Sequence, residues 1–545
     1  MHLGRRFGVA LSCAIAGLTA VSWTAQAGPT PKVTVALGSI GVQQYHPPAG
    51  TPGENTAEEP SIGHDHKTDT TMYLSGLHTF AVKFDDTVQP AKDTWTDVSY
   101  TTTSQQSLDP ILFTDLPSGR TFVSQLLGPN SATAYTDLDG ATGSWFPGVT
   151  PVTAGVDHQS IGAGPYNPAA LPTQSPTFVD AVYYCSQGVA AAFCSRSDDG
   201  GLTFQTPAVP VYQLTQCGGL HGHIKVSPAG LAMLPNQNCA PAPVLGNPSI
   251  FPNQALVTSN DNGVTWTVQV IPDSHATLRS DPAVAADAAG KIYYGYEDSV
   301  SDQSGTQVGG LAKVAIGTAT SAGAITWSPS FDVGSAAGVQ NVQFPEMIAG
   351  DSGRAAYAFL GSTTAGNPED PSFTGVWDLY LAITKDGGQT WTITDTTPTA
   401  PVERGCTYLS GSNGSCPNSK RNLLDFMDIT VDEDGHAEVG YAYGCTGACQ
   451  QNNGLGCQSS VANHPEVCDT GPAASTARYA SIARVQCGPS LYAEYDTAYI
   501  CPPSAGQVAE APWVPGLTVV AGTVLFGPAV LRRRRRAQAT GAGIV

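Results

Sequence analysis

Apolar and polar residues alternate along this chain in short runs, and the runs recur as one unit. The unit begins with an acidic or polar residue, often followed by Pro, continues as a short alternating strand, turns at a Gly and resumes as an aromatic-rich second strand. Asp281-Pro282-Ala283-Val284-Ala285, then Asp287-Ala288-Ala289-Gly290, then Ile292-Tyr293-Tyr294-Gly295-Tyr296 shows it best. It recurs at Glu59-Pro60, Asp109-Pro110, Asp157-His158, His221-Gly222-His223, Phe344-Pro345-Glu346 and Asp425-Phe426-Met427-Asp428. The seven starts lie 50, 48, 64, 60, 63 and 81 residues apart, and each interval accommodates one four-stranded antiparallel blade with its loops. The period therefore predicts an all-β β-propeller of seven blades, with six as the alternative.

Three octapeptides inside this pattern are copies of one another. Ser197-Asp198-Asp199-Gly200-Gly201-Leu202-Thr203-Phe204, Ser259-Asn260-Asp261-Asn262-Gly263-Val264-Thr265-Trp266 and Thr384-Lys385-Asp386-Gly387-Gly388-Gln389-Thr390-Trp391 all fit Ser/Thr-x-Asp-x-Gly-x-Thr-Trp/Phe. The pattern is that of a tight β-hairpin: Ser/Thr and Asp bond backbone N–H groups inside the turn, Gly takes a positive φ, and Thr followed by an aromatic restarts a strand. Gly323-Ala324-Ile325-Thr326-Trp327 keeps the end of the motif, and Asp137-Leu138-Asp139-Gly140 followed by Trp145 is a stretched version. This octapeptide resembles the Asp-box, or bacterial neuraminidase repeat, of the sialidase-like β-propellers, in which six blades are usual. The motif implies architecture; its residues are read as structural.

In a four-stranded meander, the turn between strands one and two and the octapeptide turn between strands three and four share one face. Blade starts and the loops between strands two and three share the other. The long insertions Pro235–Asn253, Asp298–Gly309, Ser362–Val376 and Gly444–Thr476, and the connection Thr396–Asn422, all belong to the second face. That face is expected to be functional, since binding residues concentrate on loops held by a rigid scaffold.

The two ends carry different signals. Residues 1–27 read as a secretory signal peptide, with Arg5 and Arg6 before an apolar run and Ala25-Gln26-Ala27 as the cleavage site. Residues 28–57 read as a Pro/Gly-rich lead-in, 58–487 as the propeller and 488–510 as a stalk. Ala511 to Leu531 has no charge and is followed by Arg532 to Arg536, the pattern of a transmembrane helix with a basic cytoplasmic tail over 532–545. The expected arrangement is an exported, monomeric propeller anchored at the cell surface by a C-terminal helix.

Formal charge is −20, and because the two ends are positive, residues 28–531 carry −27. Such an acidic body excludes nucleic acid as a partner and favours a glycan or a surface protein. Beyond Cys13 there are twelve cysteines, read as loop staples in the close pairs Cys185/Cys194, Cys217/Cys239, Cys406/Cys416, Cys457/Cys468 and Cys487/Cys501. Cys445 and Cys449 could instead belong to a metal site.

Blade starts converge on the central channel, and their residues form an acidic ring with one nearby arginine. Asp157, Asp281, Glu346 and Asp425 are the candidate catalytic carboxylates; Glu59, Asp109, His158, His221 and Arg279 are the candidate substrate-binding residues, with Glu58, His223 and Asp428 beside them. Crowded carboxylates raise one another's pKa and can supply the acid and the base of glycoside hydrolysis. The same oxygens could cap backbone N–H groups or hold Ca²⁺, and no metal or other cofactor is assigned. The resemblance implies an Arg-Ile-Pro motif and an arginine triad clamping a carboxylate, but no Arg-Ile-Pro exists and no arginine lies between Arg6 and Arg120. Tyr441 and Tyr443 with Glu438 could mimic the family's Tyr/Glu nucleophile, or be core residues. Two readings stand: a sialidase-like glycosidase with an atypical site, or a non-catalytic binding or adhesion platform for glycan or protein.

Overall fold

The computed structural model describes residues 33–496 apart from 105–107, 128–129, 150–156, 173–174, 189–190, 241–251, 278, 302–306, 371, 408–422 and 446–476. Its described strands pair into seven sheets, each built on a four-stranded antiparallel meander. Every sheet matches one start read from the sequence, which excludes six blades. The inner strands of blades 1 to 7 are Ser61–Asp65, Leu108–Asp115, Asp157–Gly164, Lys225–Val226, Ala283–Ala286, Asn341–Ala349 and Asp428–Val431.

Second strands supply the aromatic layer between blades. Tyr73, Tyr294 and Tyr357 are fully buried. Each hydroxyl donates to a backbone carbonyl of the preceding blade: Tyr73 to Tyr441 at 3.0 Å, Tyr294 to Ala255 at 3.1 Å and Tyr357 to Tyr296 at 3.2 Å. The ring thus fills the apolar gap while its polar end is satisfied. Tyr441, weighed above as part of a nucleophile, belongs to this core, with its hydroxyl donating to Gln44 Oε1 at 2.8 Å.

The ring closes through the segment expected only to lead into it. Gly41–Tyr45 is the outer strand of blade 7, antiparallel to Tyr479–Cys487 with Tyr45 opposite Ile482. Thr34–Leu37 adds a parallel strand to the outer edge of blade 6. At the seam between blades 7 and 1, buried Arg484 meets Asp432 (2.6 Å), Glu438 (3.0 Å) and Asp86 (2.7 Å). Thr71 of blade 1 donates to Glu438 at 2.6 Å, and His64 Nε2 meets Glu433 at 2.9 Å. Burial disfavours the charged His64 ring, but Glu433 and Glu438 outweigh it and raise its pKa to about 10.

The three octapeptide turns share one hydrogen-bond pattern. The Ser197, Ser259 and Thr384 hydroxyls each donate to the Asp two residues on, and each accepts the amide of Gly201, Gly263 or Gly388. Asp199, Asp261 and Asp386 in turn accept both the amide and the hydroxyl of Thr203, Thr265 and Thr390. Trp266 and Trp391 bond back to the Gly carbonyls, and Phe204 is buried.

Disulfides join Cys185 to Cys194 and Cys217 to Cys239, as spacing suggested. Cys445 is also disulfide-bonded, which removes the thiolate a metal would need and corrects that alternative. Cys416, Cys449, Cys457, Cys468 and Cys501, the signal peptide and the 511–531 span lie outside the described residues. No helix among the described residues is long and apolar enough to cross a membrane.

Two contrasts test this packing. Gly162→Ala would set a Cβ 2.4 Å from the Ile224 backbone carbonyl oxygen of the next blade, where no side-chain rotation relieves it. We expect a loss of about 3 kcal/mol in urea unfolding, against about 1 kcal/mol for Gly290→Ala, which meets nothing within 4 Å and strains only its own backbone at φ +79°. Equal losses would contradict the account. At the seam, Arg484→Met strands two buried carboxylates and should cost about 3–5 kcal/mol; a loss below about 1 kcal/mol in the same assay would show that the seam does not depend on this arginine.

Candidate functional site

The site is built by a kink that recurs where inner strands begin. Glu59, Asp109, His158 and Phe344 adopt left-handed φ values of 52, 54, 46 and 53°. Strand register slips at the last three, between Leu108 and Ile111, Asp157 and Gln159, and Gln343 and Glu346. These are β-bulges, which free a backbone amide and re-aim a side chain. The amide freed at His158 donates to Asp109 Oδ2 of the preceding blade at 2.7 Å.

Contacts from blade to blade then define two tiers. Amides of Ile62, Leu112 and Ile224 donate respectively to Asp428 Oδ2 (3.2 Å), Ser61 Oγ (3.0 Å) and Ser160 Oγ (2.8 Å) of the blade before. Asp428, Ser61, Ser160 and His223 therefore share one level, with Glu346 at the corresponding place in blade 6. Two residues earlier on each strand stand Phe426, Glu59, Asp109, His158, His221, Asp281 and Phe344, with Asp157 and Asp425 one residue further out.

In the outer tier, Glu59, Asp109 and Asp425 bring one carboxylate oxygen each within 4.8 Å of one another, and one oxygen each of Asp109 and Asp157 lies equally close to a ring nitrogen of His158. Exposure is graded: Asp157 is exposed, Asp425 half-buried, and Asp109 and Glu59 are buried beneath them. Burial, reinforced by Asp109 and Asp425, pushes Glu59 well above the carboxylate range. Asp109 rises to about 6, mainly through burial. His158 pairs with Asp281 across the channel. Burial opposes its charge, but Asp281, Asp109 and Asp425 outweigh burial and raise it. His221 is the opposite case: burial and the neighbouring His158 lower it to about 4, and it is neutral, its Nδ1 facing the Gly222 carbonyl at 3.0 Å.

The inner tier groups His223, Glu346 and Asp428. Burial and Asp428 push Glu346 well up, whereas Lys225 and His223 overcome burial and hold Asp428 below its usual range. Phe426 lies between the tiers, its ring 4.8 Å from that of His223 and 6.1 Å from that of His158. Beyond the inner tier all seven inner strands line a cavity of about 270 Å³ that is largely apolar and carries Lys225.

The four candidate catalytic carboxylates are thus divided. Asp157 and Asp425 share the outer cluster with Glu59 and Asp109, Asp281 is tied to His158, and Glu346 sits a tier below. Arg279 is engaged elsewhere, by Asn367 Oδ1 at 2.7 Å and the Gln307 carbonyl at 3.3 Å. Glu58 pairs with Arg478 at 2.9 Å. Phe426 and Lys225 were not singled out from the sequence, where nothing local marks a residue that acts across the channel.

The strand pairing defines the class: a seven-bladed β-propeller with an acidic, two-tiered channel. No protein-family model matches the chain, and no curated protein matches it. Among solved structures, a polysaccharide lyase, an ulvan lyase bound to its saccharide, is 10% identical with a TM-score of 0.40, covering 73% of this chain and 93% of its own. A Hadza microbial sialidase is 13% identical with a TM-score of 0.35, covering 81% and 68%. A leech intramolecular trans-sialidase is 13% identical with a TM-score of 0.39, covering 60% and 67%. The blade count and the site rest on the strand pairing and contacts of this chain itself.

Asp109 gives the outer tier a pH signature. Its folded pKa of about 6 lies above the ordinary 3.8, so the stability it contributes is complete below about pH 4 and is lost as pH rises through about 6. Asp109→Asn, neutral throughout, should flatten the fall in unfolding free energy between pH 4 and 7 by on the order of 2 kcal/mol. An unchanged slope would refute the assignment.

Proposed function

We propose that the protein engages saccharides where its inner strands begin, with Asp157 and Asp425 contacting the sugar above a floor of Glu59 and Asp109. One observation carries this reading: Asp425 on the rim and Glu59 and Asp109 on the floor bring carboxyl oxygens within 4.8 Å of one another, where burial raises the pKa of both floor groups. Sugar hydroxyls both donate and accept, and carboxyl groups crowded in this way offer several of them partners at once. Neutral or cationic saccharides suit a rim of carboxylates; an anionic sugar would need a clamp, and Arg279 is already engaged.

A second reading, hydrolysis, is favoured by the raised pKa of Glu59 and Asp109, which suits a proton donor. Glu59 or Asp109 would donate the proton and a rim carboxylate would attack, and the close spacing of the oxygens suits a retaining rather than an inverting glycosidase. This is the sense in which the site is sialidase-like with a changed clamp. In this proposal the chain is exported and held at the cell surface by residues 511–531, with the propeller outside. The disulfides Cys185–Cys194 and Cys217–Cys239 support an oxidising compartment.

The test uses the purified full-length chain on an array of neutral, amino and sialylated glycans and on fluorogenic glycosides, beside an Asp157→Asn/Asp425→Asn variant. We expect binding to neutral or amino sugars that the variant weakens at least tenfold with an unchanged circular dichroism spectrum, and turnover, where present, that the variant abolishes. Equal binding by the variant, or none by the wild type, would sink the proposal.

A further inference from the structure

Two polar atoms in the inner tier are buried without hydrogen-bond partners, and both belong to residues of one three-residue cluster. They are His223 Nδ1 and Glu346 Oε2, on residues 5% and 4% exposed. An orphaned polar atom at that depth costs about 1–3 kcal/mol, so a pair of them at one point calls for a ligand. His223 Nδ1 lies 3.5 Å from Glu346 Oε1 and 3.7 Å from Asp428 Oδ1. These separations are long for hydrogen bonds. They are close to the edges of a tetrahedron around a metal with bonds of about 2.0–2.2 Å, which measure about 3.3–3.6 Å.

We propose that His223, Glu346 and Asp428 form a three-ligand site for a zinc-class divalent ion inside the channel. The donor set is one imidazole nitrogen and two carboxylates, which suits Zn²⁺ or Co²⁺ better than Ca²⁺, whose sites are all oxygen. The ligands come from the inner strands of blades 4, 6 and 7, rigid elements at matching levels. Asp428 is oriented from outside the cluster, its Oδ2 accepting from Ser61 Oγ at 2.8 Å and its Oδ1 from the Ile429 amide at 2.8 Å. Lys225 Nζ, 4.0 Å from Asp428 Oδ1, sets the charge. Two carboxylates and one ammonium carry a formal net charge of minus one, which suits a divalent cation.

An access route exists on the face opposite the saccharide rim. The cavity of about 270 Å³ is lined by Met347 and Ile429, the residues after two of the ligands, and by Lys225. A fourth coordination position would open toward it. The cluster His64, Asp69 and Glu433 has comparable spacing but a different state, since both His64 nitrogens are already bonded, to Thr71 and Glu433. The inference does not depend on the saccharide proposal.

The test is metal loading of the chelator-stripped full-length protein with Zn²⁺ and with Co²⁺. We expect one equivalent of Zn²⁺ to survive gel filtration, a raised Tm, and Co²⁺ absorption bands of four-coordinate intensity. Glu346→Gln and His223→Gln should each lower the affinity at least a hundredfold, while His64→Gln leaves it unchanged. Should the channel variants fail to fold, X-ray absorption on the wild-type zinc protein decides: one imidazole and two carboxylates per zinc supports the site. No retained equivalent, a six-coordinate Co²⁺ spectrum, or undiminished binding by folded Glu346→Gln overturns it.

Discussion

A ring of blades keeps an open, apolar side until it closes, so closure governs everything else. Here closure is a strand and an arginine. Gly41–Tyr45 completes the sheet of the last blade, and Arg484 ties Asp432 and Glu438 of that blade to Asp86 of the first. Charges buried in this way are expensive unless all are partnered, and breaking one partnership costs more than the pair contributes. The seam is thus specific as well as strong: a sheet edge alone would accept many strands, but this cluster accepts one.

Closure in turn presses seven strand starts together, and the channel's chemistry follows from that crowding. Burial pushes the pKa of Glu59 and Glu346 well up, while Lys225 and His223 hold that of the equally buried Asp428 down. The ring of Phe426 packs against His158 of one cluster and His223 of the other. The positions are structurally equivalent from blade to blade, and only the residue chosen at each makes the difference.

Much of this was legible beforehand where the determining contacts are local. The octapeptides announced themselves because all their bonds run within four or five residues, from Ser259 to Gly263 and from Asp261 to Thr265. Blade starts were readable to within one residue; strand register puts His158 and Phe426, rather than Asp157 and Asp425, at the level of Glu59 and Asp109. The outer strand 41–45 was not readable, because a lone strand carries no period and its partner lies at the far end of the chain. Lys225 beside Asp428 and Phe426 against His223 were hidden for the same reason: each pairs residues from different blades. The carboxylate candidates were found, but their division into tiers depends on register.

The strand that completes the last blade is made first. Tyr45 can meet Ile482 only when nearly the whole propeller has been synthesised, so through most of its birth the chain carries an unpaired strand and a first blade with one bare face. Blades 1 to 6 can stack in order as they emerge, but the circle stays a crescent until the end. The growing chain must keep that early strand free of other sheet edges for the whole interval. Exchange between two crescents, each lending its first strand to the other's last blade, is the error this architecture most directly invites.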